Sequence, residues 1–170
     1  MSGTKSVPRA LRIAVIGTGN RARSHLATIR LLADRFELCA VCDVVAERAQ
    51  EASERVGTPW YTDVDAMISR EKPDVVLVTV PPEYHHTVAC QAAAAGVHII
   101  CETPIAITLT YADRMIEAAE RNGVTLEIAE NVWRWPVERF KAQIIRSGLL
   151  GEVTAVRMYW LRFSTRKMPN

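Results

Sequence analysis

Short apolar runs alternate with amphipathic stretches along most of the chain. Each run is rich in Val, Ile, Leu and Ala and is bounded by glycine, proline or a polar residue, as in the buried strands of a parallel sheet. These predicted strands are 11–16, 37–43, 74–80, 97–101 and 124–129. Apolar positions at helical spacing predict helices over 22–34, 46–56, 84–95 and 109–121. Alternation of strand and helix predicts an α/β fold with a doubly wound parallel sheet.

Polar residues at two places predict helix starts. Asp63 follows a short extended piece at 59–61 and precedes a brief apolar-faced helix, so its carboxylate is a candidate N-cap. Thr108 and Thr110 are alternative caps for the helix that runs to Arg121. The pattern alone does not decide between these two threonines.

The pattern changes after residue 130. Apolar residues at helical spacing, among them Trp133, Phe140 and Ile144, predict a helix with a core-facing side. The run 151–163 then predicts one long strand with apolar groups on both faces. Such a strand needs partners, so we expect a second chain or a longer gene product to supply its sheet.

A glycine motif joins the first predicted strand to the first helix. Gly17, Gly19 and Ala22 fit the G-x-G-x-x-G/A pattern, in which glycines allow a tight turn and close approach of a diphosphate. Asp43 ends the next strand, where a carboxylate can accept hydrogen bonds from ribose hydroxyls. The motif in this order predicts dinucleotide binding. The predicted turn also contains Thr18, Asn20 and Arg21.

Composition narrows the function without naming it. The 170 residues fit one domain with a small appendage, and 49% hydrophobic residues supply a core. With 21 basic against 19 acidic residues and no basic tract, we expect no nucleic-acid partner. No apolar segment is long enough for a membrane span, and residues 1–10 lack a signal core and predict a disordered lead-in. We therefore expect a cytoplasmic protein.

Four cysteines are interpreted as reduced, mostly buried thiols: Cys39, Cys42, Cys90 and Cys101. Cys39 and Cys42 form a C-x-x-C motif inside a predicted strand, where an offset of three places side chains on opposite faces. No second pair or histidine set completes a zinc site. We expect no metal.

Further motifs follow the glycine turn in a set order. They are Pro81-x-x-x-His85, Ala94-Ala-Gly96-Val-His98, Cys101-Glu-Thr-Pro104, Asn131-x-x-Arg134-Trp-Pro136 and Gly148-Leu-Leu-Gly151-Glu-Val153. Together with Asp43, these motifs resemble the glucose–fructose oxidoreductase and inositol dehydrogenase group (Gfo/Idh/MocA) over residues 11–156.

The resemblance implies an NAD(P)-dependent oxidoreductase acting on a sugar, a cyclitol or a related carbonyl compound. Residues 11–130 would be the dinucleotide-binding Rossmann domain. Residues 131–170 would begin a truncated C-terminal domain for substrate binding and oligomerisation. The expected partners are a sugar-like substrate and either a second copy or another chain that completes the C-terminal sheet. The cofactor is NAD or NADP, and Asp43 favours NAD because a carboxylate repels a 2′-phosphate.

The resemblance also implies roles for individual residues. Glu102, Thr103 and His85 take the catalytic positions, with His86 as the alternative histidine. Pro81, His85, Glu102 and Asn131 join the glycine turn at the cofactor. Active members carry a lysine where this chain has Thr103, and threonine cannot act as a general base near neutral pH.

Two alternative functions are open, and the departure at Thr103 favours the first of them. The chain is either a non-catalytic NAD(P)-binding subunit or sensor of the same family, or a relative that uses NAD in glycoside cleavage. His25, just after the glycine turn, is expected at the surface or behind the site rather than in catalysis.

Overall fold

The structure is a computed structural model that describes residues 9–157 and 159. The strands in this part are β1 (Leu11–Ile16), β2 (Phe36–Cys42), β3 (Trp60–Tyr61), β4 (Val75–Val78), β5 (His98–Cys101) and β6 (Leu126–Ile128). The helices are α1 (Asn20–Leu31), α2 (Ala46–Val56), α3 (Val64–Glu71), α4 (His85–Ala94), α5 (Leu109–Arg121) and α6 (Pro136–Arg146). The described residues divide into two compact units at the Glu130–Asn131 bond.

The first unit holds a parallel sheet in the order β3-β2-β1-β4-β5-β6. The predicted doubly wound α/β fold is confirmed. The chain winds in one direction from β1 to β3 and in the other from β4 to β6. The order therefore reverses between β1 and β4, and ligands bind at the carboxyl ends of strands beside such a reversal.

Buried side chains form two clusters, one on each face of this sheet. A β-bulge shifts the register between β1 and β2, because Leu38 pairs with Ile13 whereas Ala40 pairs with Ala14. Cys39 is the extra residue. Its side chain joins Cys42 in the same cluster, so the prediction of opposite faces was wrong.

Burial governs the chemistry of the thiols. Cys39, Cys42 and Cys101 are buried and Cys90 is half-buried. Burial raises the pKa of Cys39 to about 11 and the pKa of Cys42 and of Cys101 to about 12. Burial also raises the pKa of Cys90. These thiols are therefore neutral at physiological pH.

Both predicted N-cap regions are formed. The Asp63 carboxylate accepts from the N–H of Ala66 at 2.7 Å, and the Thr108 hydroxyl accepts from the N–H of Tyr111 at 3.2 Å. Thr108 is thus the cap of α5, and Thr110 lies in its first turn. The boundaries of some elements differ from the pattern, because β4 ends at Val78 and a 3₁₀ turn, Pro82–Tyr84, precedes α4.

Arg9 ties the start of the described chain to the sheet. Its guanidinium donates to both carboxylate oxygens of Asp74, at 2.6 and 2.7 Å, and the backbone N–H of Arg12 also donates to Asp74. Arg9 belongs to the predicted disordered lead-in, whose residues 1–8 lie outside the described part. The hydrogen bonds from Arg9 and Arg12 lower the pKa of Asp74 to about 2.

The second unit contains α6 and a short 3₁₀ turn, Val132–Arg134. Trp133 is 59% exposed, Phe140 is 61% exposed, and none of the described residues of α6 is buried. The prediction of a core-facing side is therefore wrong within this unit, which offers too little apolar surface to cover it. The predicted strand 151–163 is also not formed in its described part. Residues 151–157 join no ladder, and 158 and 160–163 lie outside the described residues.

Among the described residues, no helix is both long enough and apolar enough to cross a bilayer.

Candidate functional site

The glycine turn packs against the end of the neighbouring strand. Gly17 has a φ of +88°, and a Cβ there would lie 2.7 Å from the backbone N of Val80. The Thr79 hydroxyl donates to the carbonyl oxygen of Gly17 at 2.5 Å. Both the left-handed backbone and the lack of space therefore require glycine at this position.

Gly19 meets a different environment. It is the N-cap residue of α1, and a Cβ there would have no atom within 4 Å. No side chain caps α1, and its first turn holds no acidic residue. Ala22 is fully buried beneath this turn, which lets the helix approach the sheet closely. The helix N-terminus thus offers free N–H groups and open space, and these features fit a dinucleotide diphosphate.

Asp43 joins the glycine turn to the end of β2. Its carboxylate accepts from the N–H of Thr18 at 2.8 Å and from the Thr18 hydroxyl at 3.1 Å. Its other oxygen accepts from the N–H of Val45 at 3.0 Å. The carboxylate is therefore buried and engaged with the protein itself, a role that the motif spacing did not indicate.

A cleft of about 920 Å³ opens at the carboxyl ends of β1, β2 and β4. Val80, Tyr84 and Val88 contribute apolar surface to it. Six of the predicted cofactor residues line the cleft: Gly17, Gly19, Asn20, Arg21, Asp43 and Pro81. The cleft thus lies where the reversal of strand order predicts a ligand.

Glu102 follows β5 and is held by two side chains of α1. The Nε of Arg21 donates to Oε1 of Glu102 at 2.6 Å, and Nε2 of His25 lies 2.6 Å from the same oxygen. The N–H of Thr103 donates to the other oxygen at 3.1 Å. Burial raises the pKa of Glu102, but these hydrogen bonds outweigh it and hold the pKa below its ordinary value. Glu102 is therefore a buried anion.

His25 is a site residue that the motifs alone did not identify. Arg21 and His25 are four positions apart and share one face of α1, which is the only signal that the sequence carries. Their common partner is far along the chain, and only the fold brings it near.

His85 is 1% exposed, and both of its ring nitrogens face backbone carbonyl oxygens. Nδ1 lies 2.9 Å from the carbonyl oxygen of Pro104, and Nε2 lies 3.0 Å from that of Val80. The ring therefore links the end of β4 to the turn after β5. His86, the alternative histidine, stacks on Tyr111 with 3.8 Å between ring centroids.

Thr103 is exposed at the end of β5, one residue beyond the buried Glu102. Asn131 belongs to the second unit, where it is exposed and precedes the 3₁₀ turn. Within the described residues, no group of three or more His, Cys, Asp or Glu side chains is arranged to hold a metal ion.

Comparison with known proteins gives the family. The model of an oxidoreductase family with an NAD-binding Rossmann fold, GFO_IDH_MocA, matches residues 11–130. D-apiose dehydrogenase from Paraburkholderia graminis is 35% identical over 168 residues, which are 98% of this chain and 43% of that protein. Inositol 2-dehydrogenase from Salmonella typhimurium is 34% identical over 115 residues, which are 66% of this chain and 34% of that protein.

Solved structures agree. The WlbA dehydrogenase from Bordetella pertussis, in complex with NADH and UDP-GlcNAcA, superposes with a TM-score of 0.81 at 26% identity over 84% of this chain and 44% of that chain. The chain spans less than half the length of each of these relatives. It belongs to the Gfo/Idh/MocA family of oxidoreductases with an NAD-binding Rossmann fold.

Proposed function

We propose that this chain is the cofactor-binding part of an NAD(P)-dependent oxidoreductase that acts on a sugar, a cyclitol or a related carbonyl compound. The observation that carries the proposal is the uncapped N-terminus of α1, where Gly19 leaves open space beside the large cleft. The relatives named above are dehydrogenases of apiose and inositol, which supports the substrate class.

Residues of the first unit would hold the cofactor. The N–H groups at Gly19–Ala22 would bind the diphosphate, and Asp43 would face the adenosine ribose at the end of β2. The Asp43 carboxylate favours NAD at this position. When bound, the nicotinamide ring supplies or accepts the hydride.

The residues after β5 would hold the diphosphate turn in place and contact the substrate. Glu102 would anchor the start of α1 through Arg21 and His25, and thereby fix the turn that holds the diphosphate. Thr103, exposed beside it, would donate or accept a hydrogen bond with a substrate hydroxyl but could not take up its proton near neutral pH. His85 would position Pro81 and the turn after Glu102 rather than touch the substrate, because its ring is buried.

Residues 131–170 would begin the second domain, which includes Asn131 as a proposed cofactor residue. The exposed apolar residues of this unit would be covered by the rest of that domain, by a second copy or by another chain. A cytoplasmic location accords with this assignment.

A non-catalytic NAD(P)-binding subunit or sensor is the second candidate, and Thr103 favours it. The two candidates differ in hydride transfer. With a panel of sugars and cyclitols and a partner chain that supplies the missing domain, the enzyme reduces NAD measurably and the sensor does not.

Calorimetric titration with NADH tests the proposal. We expect wild-type chain to bind with a dissociation constant of roughly micromolar order. Gly19→Val should weaken binding by about tenfold or more, because its side chain enters the space left for the diphosphate. A backbone φ of −67° accommodates valine, so thermal unfolding should change little. A folded wild-type chain that binds neither NADH nor NADPH would contradict the proposal.

A further inference from the structure

Arg21 connects the large cleft with the end of β5. It lines the cleft, and it also bonds to Glu102, the residue that follows β5. Asp43 ends β2 on the opposite side of the reversal of strand order, where the proposed function places the adenosine ribose. With the diphosphate at the glycine turn between them, the nicotinamide end of the dinucleotide would therefore lie towards Arg21.

The guanidinium of Arg21 is only partly engaged by Glu102. Its Nε donates to Oε1 of Glu102 at 2.6 Å. In the described part of the chain, Nη1 and Nη2 of Arg21 have no hydrogen-bond partner. The paired N–H donors of a guanidinium match two oxygens of a carboxylate or a phosphate group. Arg21 therefore keeps donors of the kind that bind an oxyanion.

The positive member of this ion pair is exposed and the negative member is buried. The Arg21 side chain is 54% exposed, whereas that of Glu102 is 8% exposed. Both oxygens of Glu102 are engaged, Oε1 with Arg21 and His25 and Oε2 with the N–H of Thr103. A ligand that reaches this edge of the sheet would therefore meet a guanidinium rather than a carboxylate.

Glu102 also restrains Arg21. Arg21 and His25 lie in the first two turns of α1, and both contact the same oxygen of Glu102. A side chain that is already held in place loses less conformational freedom when a ligand binds to it. Thr103 is exposed next to the same carboxylate. A sugar hydroxyl and a sugar oxyanion would thus find partners side by side.

We infer that Arg21 binds an oxyanion of the substrate, so that the site selects a sugar acid or a sugar phosphate over a neutral sugar. Glu102 and His25 act as positioning residues for Arg21. The inference rests on the proposed function, because it assumes that a dinucleotide occupies the cleft with its nicotinamide end towards β5. It adds the charge of the substrate to that function.

NMR titration of the NADH-saturated chain with matched sugars tests the inference. The pairs are D-glucuronate with its neutral amide, D-glucuronamide, and D-glucose 6-phosphate with D-glucose. Wild-type chain should bind at least one anion about tenfold or more tightly than its neutral counterpart. A preference for glucuronate identifies a carboxylate as the oxyanion, and a preference for glucose 6-phosphate identifies a phosphate.

Two variants test the role of Arg21. Arg21→Met removes the guanidinium and keeps a long side chain, so the preference for the anion should fall to about threefold or less. Arg30→Met removes the same charge from an exposed residue of α1 that does not line the cleft, and it should leave the preference unchanged. A role for Arg21 in holding α1 alone would not change this ratio at saturating NADH.

The outcomes separate the inference from the proposed function. If NADH binds but both anions bind no better than their neutral counterparts, or no sugar binds, the inference is wrong and the proposed function stands. The same conclusion follows if Arg21→Met keeps the preference. If neither NADH nor NADPH binds the folded chain, both are wrong. Should Arg21→Met fail to fold, the wild-type pairs decide, and equal affinities within both pairs overturn the inference.

Discussion

At the residue scale, the titratable side chains at the carboxyl edge of the sheet bond to the protein itself. Asp43 holds Thr18 and Val45, Glu102 holds Arg21 and His25, and His85 links two backbone turns. Buried polar groups must find such partners, because an unpaired one costs free energy. These side chains are therefore held in place by the protein itself, whereas Thr103 is exposed at the same edge.

Replacing Glu102 by glutamine should show how much its charge holds α1 in place. The Gln variant keeps the size but loses the charge, so Arg21 and His25 lose a charged acceptor. We expect a loss of about 1–2 kcal/mol in the free energy of unfolding, measured by urea denaturation. Glu51→Gln, which breaks only exposed ion pairs, should cost less than about 0.5 kcal/mol. Equal losses in the two variants would contradict a structural role for Glu102.

At the element scale, the sequence predicts features that depend on residues close together in the chain. It does not predict features that depend on contacts between distant residues. Asp63 and the β1–α1 glycine turn could be recognised because each acts within a few residues. The bulge at Cys39 could not, since it depends on how β2 pairs with β1. The Glu102 contacts were equally inaccessible, because Arg21 lies 81 positions away along the chain.

The two threonines at the start of α5 allow a matched test of a helix cap. Thr108→Ala removes the hydroxyl that accepts from Tyr111 N–H and should lower the free energy of unfolding by about 1 kcal/mol. Thr110→Ala, inside the first turn, should be neutral or slightly stabilising because alanine has the higher helix propensity. Chemical denaturation of both variants measures the difference. A larger loss for Thr110→Ala would reverse the assignment of the cap.

At the scale of the whole molecule, the two units differ in how well sequence predicts them. The first unit could be predicted because its apolar strands are buried on both faces of one sheet. The second could not, because α6 and the run after Gly148 carry apolar surface that this unit does not cover. The helix itself forms at Pro136–Arg146, as its spacing indicates, but burial depends on what it packs against.

The ion pair between Arg9 and Asp74 should make the stability of the first unit depend on pH in the acidic range. Since folding lowers the pKa of Asp74 to about 2, its contribution is complete above the ordinary aspartate pKa of about 4 and fades as the pH falls towards 2. Asp74→Asn should therefore destabilise the chain at neutral pH and lose its effect in acid.

Urea denaturation of wild type and Asp74→Asn at a series of pH values measures this change. Asp34→Asn, at a highly exposed and distant pair with Arg35, serves as the control and should show little difference at any pH. A gap between wild type and Asp74→Asn that stays constant down to about pH 2 would contradict the linkage.

The unequal burial of the four thiols should make them react with a thiol reagent at different rates. A thiol reagent should modify Cys90 first, because it alone among them is only half-buried. Cys39, Cys42 and Cys101 lie in or at the ends of the interior strands β2 and β5 and should react only when the sheet opens. A cofactor that binds the native cleft should therefore slow the modification of Cys39, Cys42 and Cys101 and leave the rate at Cys90 unchanged. Mass spectrometry could then report occupancy of the cleft in a chain that performs no chemistry at all.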